Sequence, residues 1–251
     1  MTDAMTDAVT AAVLVIGDEI LSGRTKDKNI GYIADYLFNI GIDLSEVRIV
    51  PDVTAEIVAA VNALRSRYTY VFTTGGIGPT HDDITADSVA EAFGVGIDED
   101  PRAIEMLLRR IKPEDLNAAR RRMARIPFGA DLVENRVSTA PGFMMENVIV
   151  MAGVPAIMQA MLDNVAPKLK FGAKMLVETV EAAGIPEGRY AAGLAEIAGR
   201  YPDVSIGSYP SFTSGAFRNQ IVLRSKLADK LAAAFGETLA MIESMAPAAA
   251  R

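Results

Sequence analysis

The strongest chemical signal in the sequence is a run of glycines that follows an apolar stretch at residues 70–74. Residues 73–85 read TTGGIGPTHDDIT. Glycine lets a backbone approach a ligand closely and turn its N–H groups toward an anion, and a following helix start adds positive partial charge. The run lacks the GK[ST] ending of a Walker A motif and the GxGxxG spacing. It therefore predicts a phosphate-binding loop, with a plain strand-to-helix turn capped by Asp82 or Asp83 as the alternative. The predicted ligand contacts in this loop are Thr74, Gly75, Gly76, Gly78, Pro79 and Thr80.

Carboxylates follow other apolar stretches in the same way. Gly17, Asp18 and Glu19 come after residues 12–16, and Asp52 comes after residues 47–50. The carboxyl ends of parallel strands face one crevice, so these acids are expected to converge with those of the glycine loop. Clustered carboxylates beside a phosphate suit hard cations such as Mg²⁺ or Mn²⁺, although acids in such loops are also common caps and solvated groups. The predicted metal ligands are Asp18, Asp82 and Asp83.

Basic and polar residues could complete a phosphate site. Arg24, Lys26 and Lys28 could contact phosphates. The predicted ligand-binding residues of this segment are Gly17, Asp18, Glu19 and Asn29. Residues 135–143 and 151–155 are Gly/Pro turns that could form the wall of a pocket through Gly153 and Pro155, or could be simple turns. The basic cluster of four arginines within residues 120–125 is either a solvated helix face or a contact for an anion.

The elements that must position these residues alternate between strand and helix. Short apolar runs predict buried parallel strands, and helical spacing predicts the helices between them. This order is typical of an α/β fold with a doubly wound, mostly parallel sheet. Thr54 is the expected N-cap of one helix, and Gly41 and Gly94 are expected at helix C-termini. The predicted strands are 12–16, 47–50, 70–74 and 147–151, and the predicted helices are 30–40, 55–64, 88–93 and 155–162, with two more in 101–125.

The pattern changes near Phe171. A strand at 175–181, a helix at 187–199, a hairpin at 204–209 and 220–224, and a closing helix at 227–242 predict a small βαββα domain of the α+β class. The sequence thus predicts two domains, residues 1–170 and 171–251.

Composition excludes several classes of function. The 251 residues include no cysteine, no tryptophan and one histidine, His81, so disulfides, thiolate metal sites and multi-histidine sites are ruled out. The net charge of −7 argues against partners such as nucleic acid or an anionic membrane. The acidic start lacks the positive charge of a signal peptide, and the first apolar run is too short to cross a bilayer, so a cytoplasmic location is expected.

Three motifs together resemble the CinA-type competence/damage-inducible family, within the wider MoaB/Mog molybdopterin-binding domain superfamily. They are GDEILSG at 17–23, TTGGIGPTHDDIT at 73–85, and APGF with AGVP between 140 and 155. The βαββα segment resembles the small domain that follows in CinA-type proteins, and a similar fused pair occurs in eukaryotic FAD synthases. The resemblance implies that the chain ends before the amidohydrolase domain of full-length CinA proteins, so deamidation of nicotinamide mononucleotide is not expected.

The resemblance also implies a three-layer α/β fold that binds molybdopterin or a nucleotide diphosphate. By position, Asp83 matches the motif aspartate of the superfamily and Asp52 a second acidic position of the pterin-binding members. Gly75, Gly76 and Gly78 match ligand-cradling glycines, and Gly153 with Pro155 matches a PG(S/V)P turn. The departures are Ala152 for proline, Val154 where pterin enzymes often have serine, and Ser138 where glycine is usual. Members of the superfamily often form dimers or trimers, which implies a homo-oligomer.

Three functions therefore stay open. The first is a pyrophosphatase that acts on ADP-ribose or FAD-like dinucleotides with Mg²⁺, Mn²⁺ or Co²⁺, in which Asp52, Asp82 and Asp83 are the catalytic acids. The second is a protein that binds molybdopterin without hydrolysing it, which the loss of a hydroxyl at Val154 disfavours. The third is a non-catalytic scaffold with the same fold.

Overall fold

The computed structural model describes residues 8–213 and 216–245. Contacts between residues divide the chain into two compact units, Met1–Gly172 and Ala173–Arg251. The acidic residues at the start of the chain lie outside the described part. In the described residues no helix is long and apolar enough to cross a membrane.

The first unit alternates strands and helices, and then ends in a run of short strands and a helix. A 3-10 turn, Pro113–Asp115, separates the helices Pro101–Leu108 and Ala118–Arg122. The strands are β1 (Thr10–Ile16), β2 (Asp43–Val50), β3 (Tyr70–Thr74), β4 (Ile97–Glu99), β5 (Arg125–Pro127), β6 (Asp131–Val133), β7 (Gly142–Met145) and β8 (Val148–Met151). The helices are α1 (Asp18–Leu21), α2 (Asn29–Asn39), α3 (Thr54–Arg65), α4 (Thr85–Phe93), α5 (Pro101–Leu108), α6 (Ala118–Arg122) and α7 (Pro155–Val165).

A six-stranded sheet in the order β2-β1-β3-β8-β7-β6 forms the centre of this unit. The first four strands are parallel, and β7 and β6 run antiparallel to their neighbours. One face packs against α3, α4 and α5, and the opposite face packs against α2 and α7. The predicted α/β class, with a mostly parallel sheet between two helical layers, is confirmed.

Alternation along the central strands explains why both faces of the sheet are covered. Along β1, Ala12, Leu14 and Ile16 belong to one core, whereas Val13 and Val15 belong to the other. Successive side chains of a strand point to opposite faces, so a strand that is apolar at every position must be buried on both sides. The first strand therefore has to lie inside the sheet.

The glycines predicted at helix C-termini lie there, but the residues predicted as N-caps do not occupy that position. Gly94 ends α4 in the left-handed conformation with φ of 67°, and Gly41 follows α2 with φ of 77°. The expectation for Thr54 is wrong, since Val53 is the N-cap and Thr54 is the first helical residue. The alternative that Asp82 or Asp83 caps α4 is also wrong, because Ile84 occupies that position.

Residues 135–143, predicted as a Gly/Pro turn, contain a turn at 136–138, and their last two residues begin a strand that the sequence did not predict. β7 begins at Gly142 and pairs with β8 through a two-residue connection, Glu146 and Asn147, while β6 pairs with β7 on its other side. Such short strands depend on pairing with the sheet and not on their own periodicity, which explains why the sequence pattern did not reveal them.

The second unit contains the predicted βαββα order with one extra short strand. It comprises β9 (Leu176–Ala183), α8 (Glu187–Arg200), β10 (Ser205–Tyr209), β11 (Phe212–Thr213), β12 (Ala216–Ser225) and α9 (Ala228–Met245). β12 pairs antiparallel with both β9 and β10. Tyr190 and Ile197 of α8 and Leu231 and Ile242 of α9 pack in one core with the sheet residue Ile221.

Candidate functional site

The sheet has a topological switch point between β1 and β3. From β1 the chain passes through α2 on one face to β2, and from β2 through α3 on the other face to β3. The loops after β1 and β3 therefore diverge, and ligands of open α/β sheets bind in the crevice that this leaves. A cavity of about 250 Å³ lies here, at the ends of β1 and β3. Of the predicted contacts, it is lined by Glu19, Asn29, Thr74, Gly75, Gly153 and Pro155.

The floor of the cavity is made where three backbone segments meet. Gly75 has φ of 104°, and a Cβ placed on it would lie 2.1 Å from the carbonyl oxygen of Ile16. A Cβ on Gly153 would lie 3.3 Å from the Cα of Gly75. Gly75 therefore requires glycine, whereas a Cβ on Gly153 would make a tight contact that a small shift of the Gly75 backbone could relieve. The segments after β1, β3 and β8 meet at this point.

Asn29 is the most deeply buried polar side chain of the cavity wall after Thr74. It is 4% exposed, and its Nδ2 donates a hydrogen bond of 2.8 Å to the carbonyl oxygen of Gly153. The backbone N–H groups of Asn29 and Ile30 donate to Oδ1 of Asp27, at 3.1 and 2.8 Å. Asp27 therefore holds the first turn of α2 in place, and Asn29 joins this helix to the turn after β8.

Charged side chains surround the mouth of the cavity. Lys26 and Lys28 line it and are exposed, and neither forms an ion pair with any residue in 8–213 or 216–245. Glu19 is also exposed, and its carboxylate lies over Gly17, where an added Cβ would come within 2.5 Å of Oε2. The cavity lining thus carries two cations, Lys26 and Lys28, and two anions, Glu19 and Asp27, of which Asp27 already accepts hydrogen bonds from the backbone.

Asp52 lies beside the carboxylates that follow β1. Its Oδ2 accepts a 2.9 Å hydrogen bond from the backbone N–H of Asp18, at the start of α1. Burial raises the pKa of the Asp52 carboxyl above its usual value, the Asp18 N–H opposes that change, and the negative charges of Asp18, Glu19 and Asp82 add to it. The negative charges of Asp18, Glu19 and Asp82 thus act on Asp52, whereas Asp83, which the sequence was expected to bring into the same group, is not among them.

Asp83 has a different environment from Asp52. Its Oδ2 accepts hydrogen bonds from the backbone N–H of Thr80, at 2.8 Å, and from the Thr80 hydroxyl, at 2.5 Å. Its carboxylate also occupies the space beside Gly78, where a Cβ would come within 2.6 Å of Oδ2. One carboxylate oxygen of Asp83 therefore holds the glycine loop in shape.

The second half of the glycine loop faces a separate, water-sized cavity of about 20 Å³. Gly76, Gly78 and Asp83 line it together with Arg122 and Arg125. Arg122 donates to the backbone oxygen of Asp83 at 3.1 Å, and Arg125 forms an ion pair with Asp87. The predicted ligand contacts are thus divided between two cavities, and these two arginines have partners within the fold. Gly17, Asp18, Asp52, Pro79, Thr80 and Asp82 line neither of the two cavities.

Thr85 is a site residue that the sequence interpretation missed. It is fully buried at the start of α4, and its hydroxyl donates a 3.0 Å hydrogen bond to the carbonyl oxygen of Gly75. Its Oγ1 also fills the space beside Gly76, where a Cβ would lie 2.2 Å away. The threonine stands at the end of the TTGGIGPTHDDIT motif, and its place in that motif was the available signal.

The side chains predicted to bind a metal do not form a complete ligand set. Within the described part of the chain, no three histidine, aspartate or glutamate side chains are grouped so that they could hold a metal ion. His81 is almost fully exposed, and its Nδ1 lies 3.9 Å from Oδ1 of Asp82. Asp82 and Asp83 are adjacent in sequence, but Asp83 is engaged by Thr80.

Comparisons with protein families match both units. Residues 12–170 match the model described as a probable molybdopterin-binding domain. Residues 174–249 match the model described as the middle domain of FAD synthase. The two matches divide the chain at nearly the same place as the two structural units.

Individual relatives agree with these matches. A probable FAD synthase of Caenorhabditis briggsae is 30% identical over 89% of this chain and 48% of its own length. A CinA-like protein of Citrifermentans bemidjiense is 39% identical over 74% of this chain and 46% of its own length. The chain thus spans about half the length of each. A crystal structure of CinA from Thermoplasma acidophilum, 33% identical, superimposes with a TM-score of 0.61 over 64% of this chain and 98% of that one.

Proposed function

The chain belongs to the probable molybdopterin-binding domain family, and from that membership we propose that its first unit binds a phosphate-bearing nucleotide or pterin. The resemblance to CinA-type proteins is confirmed by CinA-like relatives. The observation that carries the proposal is the 250 Å³ cavity at the switch point between β1 and β3. Ligand sites in this class of sheet lie at that place.

The arrangement of charge supports a ligand with phosphate at its outer end. Lys26 and Lys28 are exposed at the mouth of the cavity and form no ion pair within the described residues. Cationic side chains at such a position attract phosphate without first breaking an internal ion pair. The glycine floor, in contrast, is closed by backbone contacts with Ile16 and Gly153.

Binding can be tested by isothermal titration with ADP and with 6-carboxypterin. The double variant Lys26→Ala/Lys28→Ala is expected to bind a phosphate-bearing probe about tenfold more weakly at low salt, with a smaller difference at high salt. The matched control is Lys168→Ala/Lys170→Ala, which removes two exposed lysines elsewhere in the first unit. Absence of binding by the folded wild-type protein would favour the non-catalytic scaffold instead.

Hydrolysis of a diphosphate linkage is a second candidate function. The observation that favours it is the group of acids around Asp52, whose carboxyl has a raised pKa, beside Asp18 and Glu19. A carboxyl with a raised pKa suits general acid–base chemistry. Substrates of this class are ADP-ribose and FAD, in which two phosphates are joined.

The hydrolysis candidate includes a divalent cation, and the described side chains show how much of a binding site the protein offers for one. Since no three of them form a ligand set, the protein alone does not present a complete site for Mg²⁺, Mn²⁺ or Co²⁺. A cation held by one or two carboxylates would need the phosphate oxygens of the substrate as its other ligands. No catalytic step is therefore assigned to a metal.

Release of AMP from ADP-ribose and FAD, with each of the three cations added in turn, tests the hydrolysis proposal. Turnover by the wild type that Asp52→Asn lowers by at least about tenfold would support it. Asp35→Asn is the control, because it removes an exposed carboxylate from α2. If probes bind but no condition gives turnover, the hydrolysis proposal fails and the binding proposal stands.

A further inference from the structure

Asn29 carries a buried hydrogen-bond acceptor that the fold leaves unused. The residue is 4% exposed, and its Oδ1 accepts no hydrogen bond from any residue that the structure describes. Buried polar atoms are paired in the great majority of cases, so an unpaired one at a cavity wall calls for an explanation. Asn29 lines the same cavity as Thr74 and Gly75.

The orientation of the Asn29 amide is determined by its other partner. Nδ2 donates to the carbonyl oxygen of Gly153 at 2.8 Å. Exchanging the amide oxygen and nitrogen would place two carbonyl oxygens against each other, because a carbonyl oxygen can only accept. The bond to Gly153 therefore defines which atom of Asn29 is free, and that atom is an acceptor.

The backbone of Asn29 is held as firmly as its side chain. Oδ1 of Asp27 accepts hydrogen bonds from the N–H groups of Asn29 and Ile30. These two bonds place the first turn of α2, and the Gly153 contact links it to a segment 124 residues away. An acceptor held in this way loses little freedom when a ligand binds, which is the condition for selective recognition.

The surroundings of the free acceptor indicate which part of a ligand it can meet. Val15, Ile16, Ile20 and Pro155 give the cavity apolar walls. A fully ionised phosphate has no proton to donate, so its oxygens can only accept hydrogen bonds. A phosphate therefore cannot satisfy Oδ1, which is itself an acceptor. At about 250 Å³ the cavity is smaller than the roughly 300–1,000 Å³ typical of sites that enclose a whole small molecule.

We propose that Asn29 Oδ1 accepts a hydrogen bond from a ring N–H or amino group of the ligand, so that a nitrogen heterocycle enters the cavity with its phosphate directed to the mouth. This assignment rests on the proposed binding function and makes Asn29 its specificity-determining residue. It is consistent with lysines at the mouth of the cavity and with an unpaired acceptor on a buried residue of its wall.

The first experiment compares wild type, Asn29→Ala and the control Asn39→Ala by isothermal titration with ADP and 6-carboxypterin. Asn39 is exposed at the other end of α2, and its side chain donates a hydrogen bond to the carbonyl oxygen of Asp35 in the same helix. Asn29→Ala is expected to weaken at least one probe about tenfold, and Asn39→Ala neither. Unchanged binding of both probes by Asn29→Ala overturns the inference alone, whereas no binding by wild type overturns the proposed function with it.

The second experiment needs no variant, so a loss of folding cannot obscure it. Wild-type protein is titrated with ADP, with purine riboside diphosphate, which lacks the amino group, and with 2′,3′-dideoxy-ADP, which lacks the ribose hydroxyls. The same comparison is made between 6-carboxypterin and its 3-methyl derivative. A loss of about tenfold on removing a ring N–H or amino donor supports the proposal. A loss only on removing the ribose hydroxyls overturns it, since the sugar and not the ring would then contact Asn29.

Discussion

Replacing Gly75 by alanine is expected to destabilise the first unit more than an ordinary glycine substitution does. Gly75 has φ of 104°, and its added Cβ would lie 2.1 Å from the carbonyl oxygen of Ile16. A non-glycine residue in such a conformation costs of order 1–3 kcal/mol. Relief of the contact would also require the ends of β1 and β3 to separate. A total loss of about 3 kcal/mol is expected, a large part of the roughly 5–15 kcal/mol of a typical domain.

The matched control is Gly23→Ala. Gly23 also has positive φ, of 73°, but a Cβ there would meet no atom within 4 Å. It therefore carries the conformational cost of about 1 kcal/mol without the steric contact. The difference between the two variants isolates the close approach of the backbones.

Thermal unfolding followed by circular dichroism measures both effects. One kcal/mol corresponds to roughly 2–4 °C in a unit of this size, so Gly75→Ala is expected to lower Tm by about 6–12 °C and Gly23→Ala by about 2–4 °C. Because the chain has two units, the transition of the first must be resolved from that of the second. Equal Tm values for the two variants would refute the claim that the backbones at Ile16 and Gly75 are in obligatory contact.

Three further predictions concern the glycine loop, the acids and the second unit. Thr85→Val should lower the free energy of unfolding by about 1–3 kcal/mol because the buried carbonyl oxygen of Gly75 loses its donor, while Thr85→Ser should retain most of the stability. Asp52 has a folded pKa above its unfolded one, so wild type loses stability as pH rises from about 3.8 through the folded pKa; Asp52→Asn should gain stability relative to wild type over that window, measured by urea unfolding at several pH values. Asn219→Ala should destabilise the second unit by about 2–3 kcal/mol, because buried Asn219 bonds both Ile185 and Ser211; denaturant unfolding would show it.

Each of these predictions has an outcome that contradicts it. Thr85→Val as stable as Thr85→Ser would mean that the Gly75 carbonyl oxygen finds another donor. A stability difference between wild type and Asp52→Asn that does not change with pH would mean that the Asp52 pKa is not raised. An Asn219→Ala variant that unfolds like wild type would mean that the hydrogen bonds of Asn219 to Ile185 and Ser211 do not stabilise the second unit.

Local patterns predicted the central elements well because those elements are buried on regular faces. The apolar runs that became β1 and β3 and the spacing that became α2 needed no long-range information. The strands β6 and β7 were missed, since they are three and four residues long and are defined by pairing with β8. Self-association, which the resemblance implied, stays a prediction.

The candidate site was predicted in composition but not in geometry. The sequence placed Asp82 and Asp83 side by side, whereas the structure turns the Asp83 carboxylate onto Thr80 and leaves Asp82 near Asp52. The partner of Asn29 is 124 residues away, at Gly153, so no local motif could reveal that contact. Which atoms of a loop face a ligand depends on these distant partners.

The meeting of Ile16, Gly75 and Gly153 also limits how this site can change over evolutionary time. Substitutions on the floor disturb three chain segments at once, because their backbones are already in contact. Lys26 and Lys28 at the mouth are exposed and can be exchanged at small cost to folding. New ligand preferences should therefore arise by drift at the mouth of the cavity, over a floor that selection keeps constant.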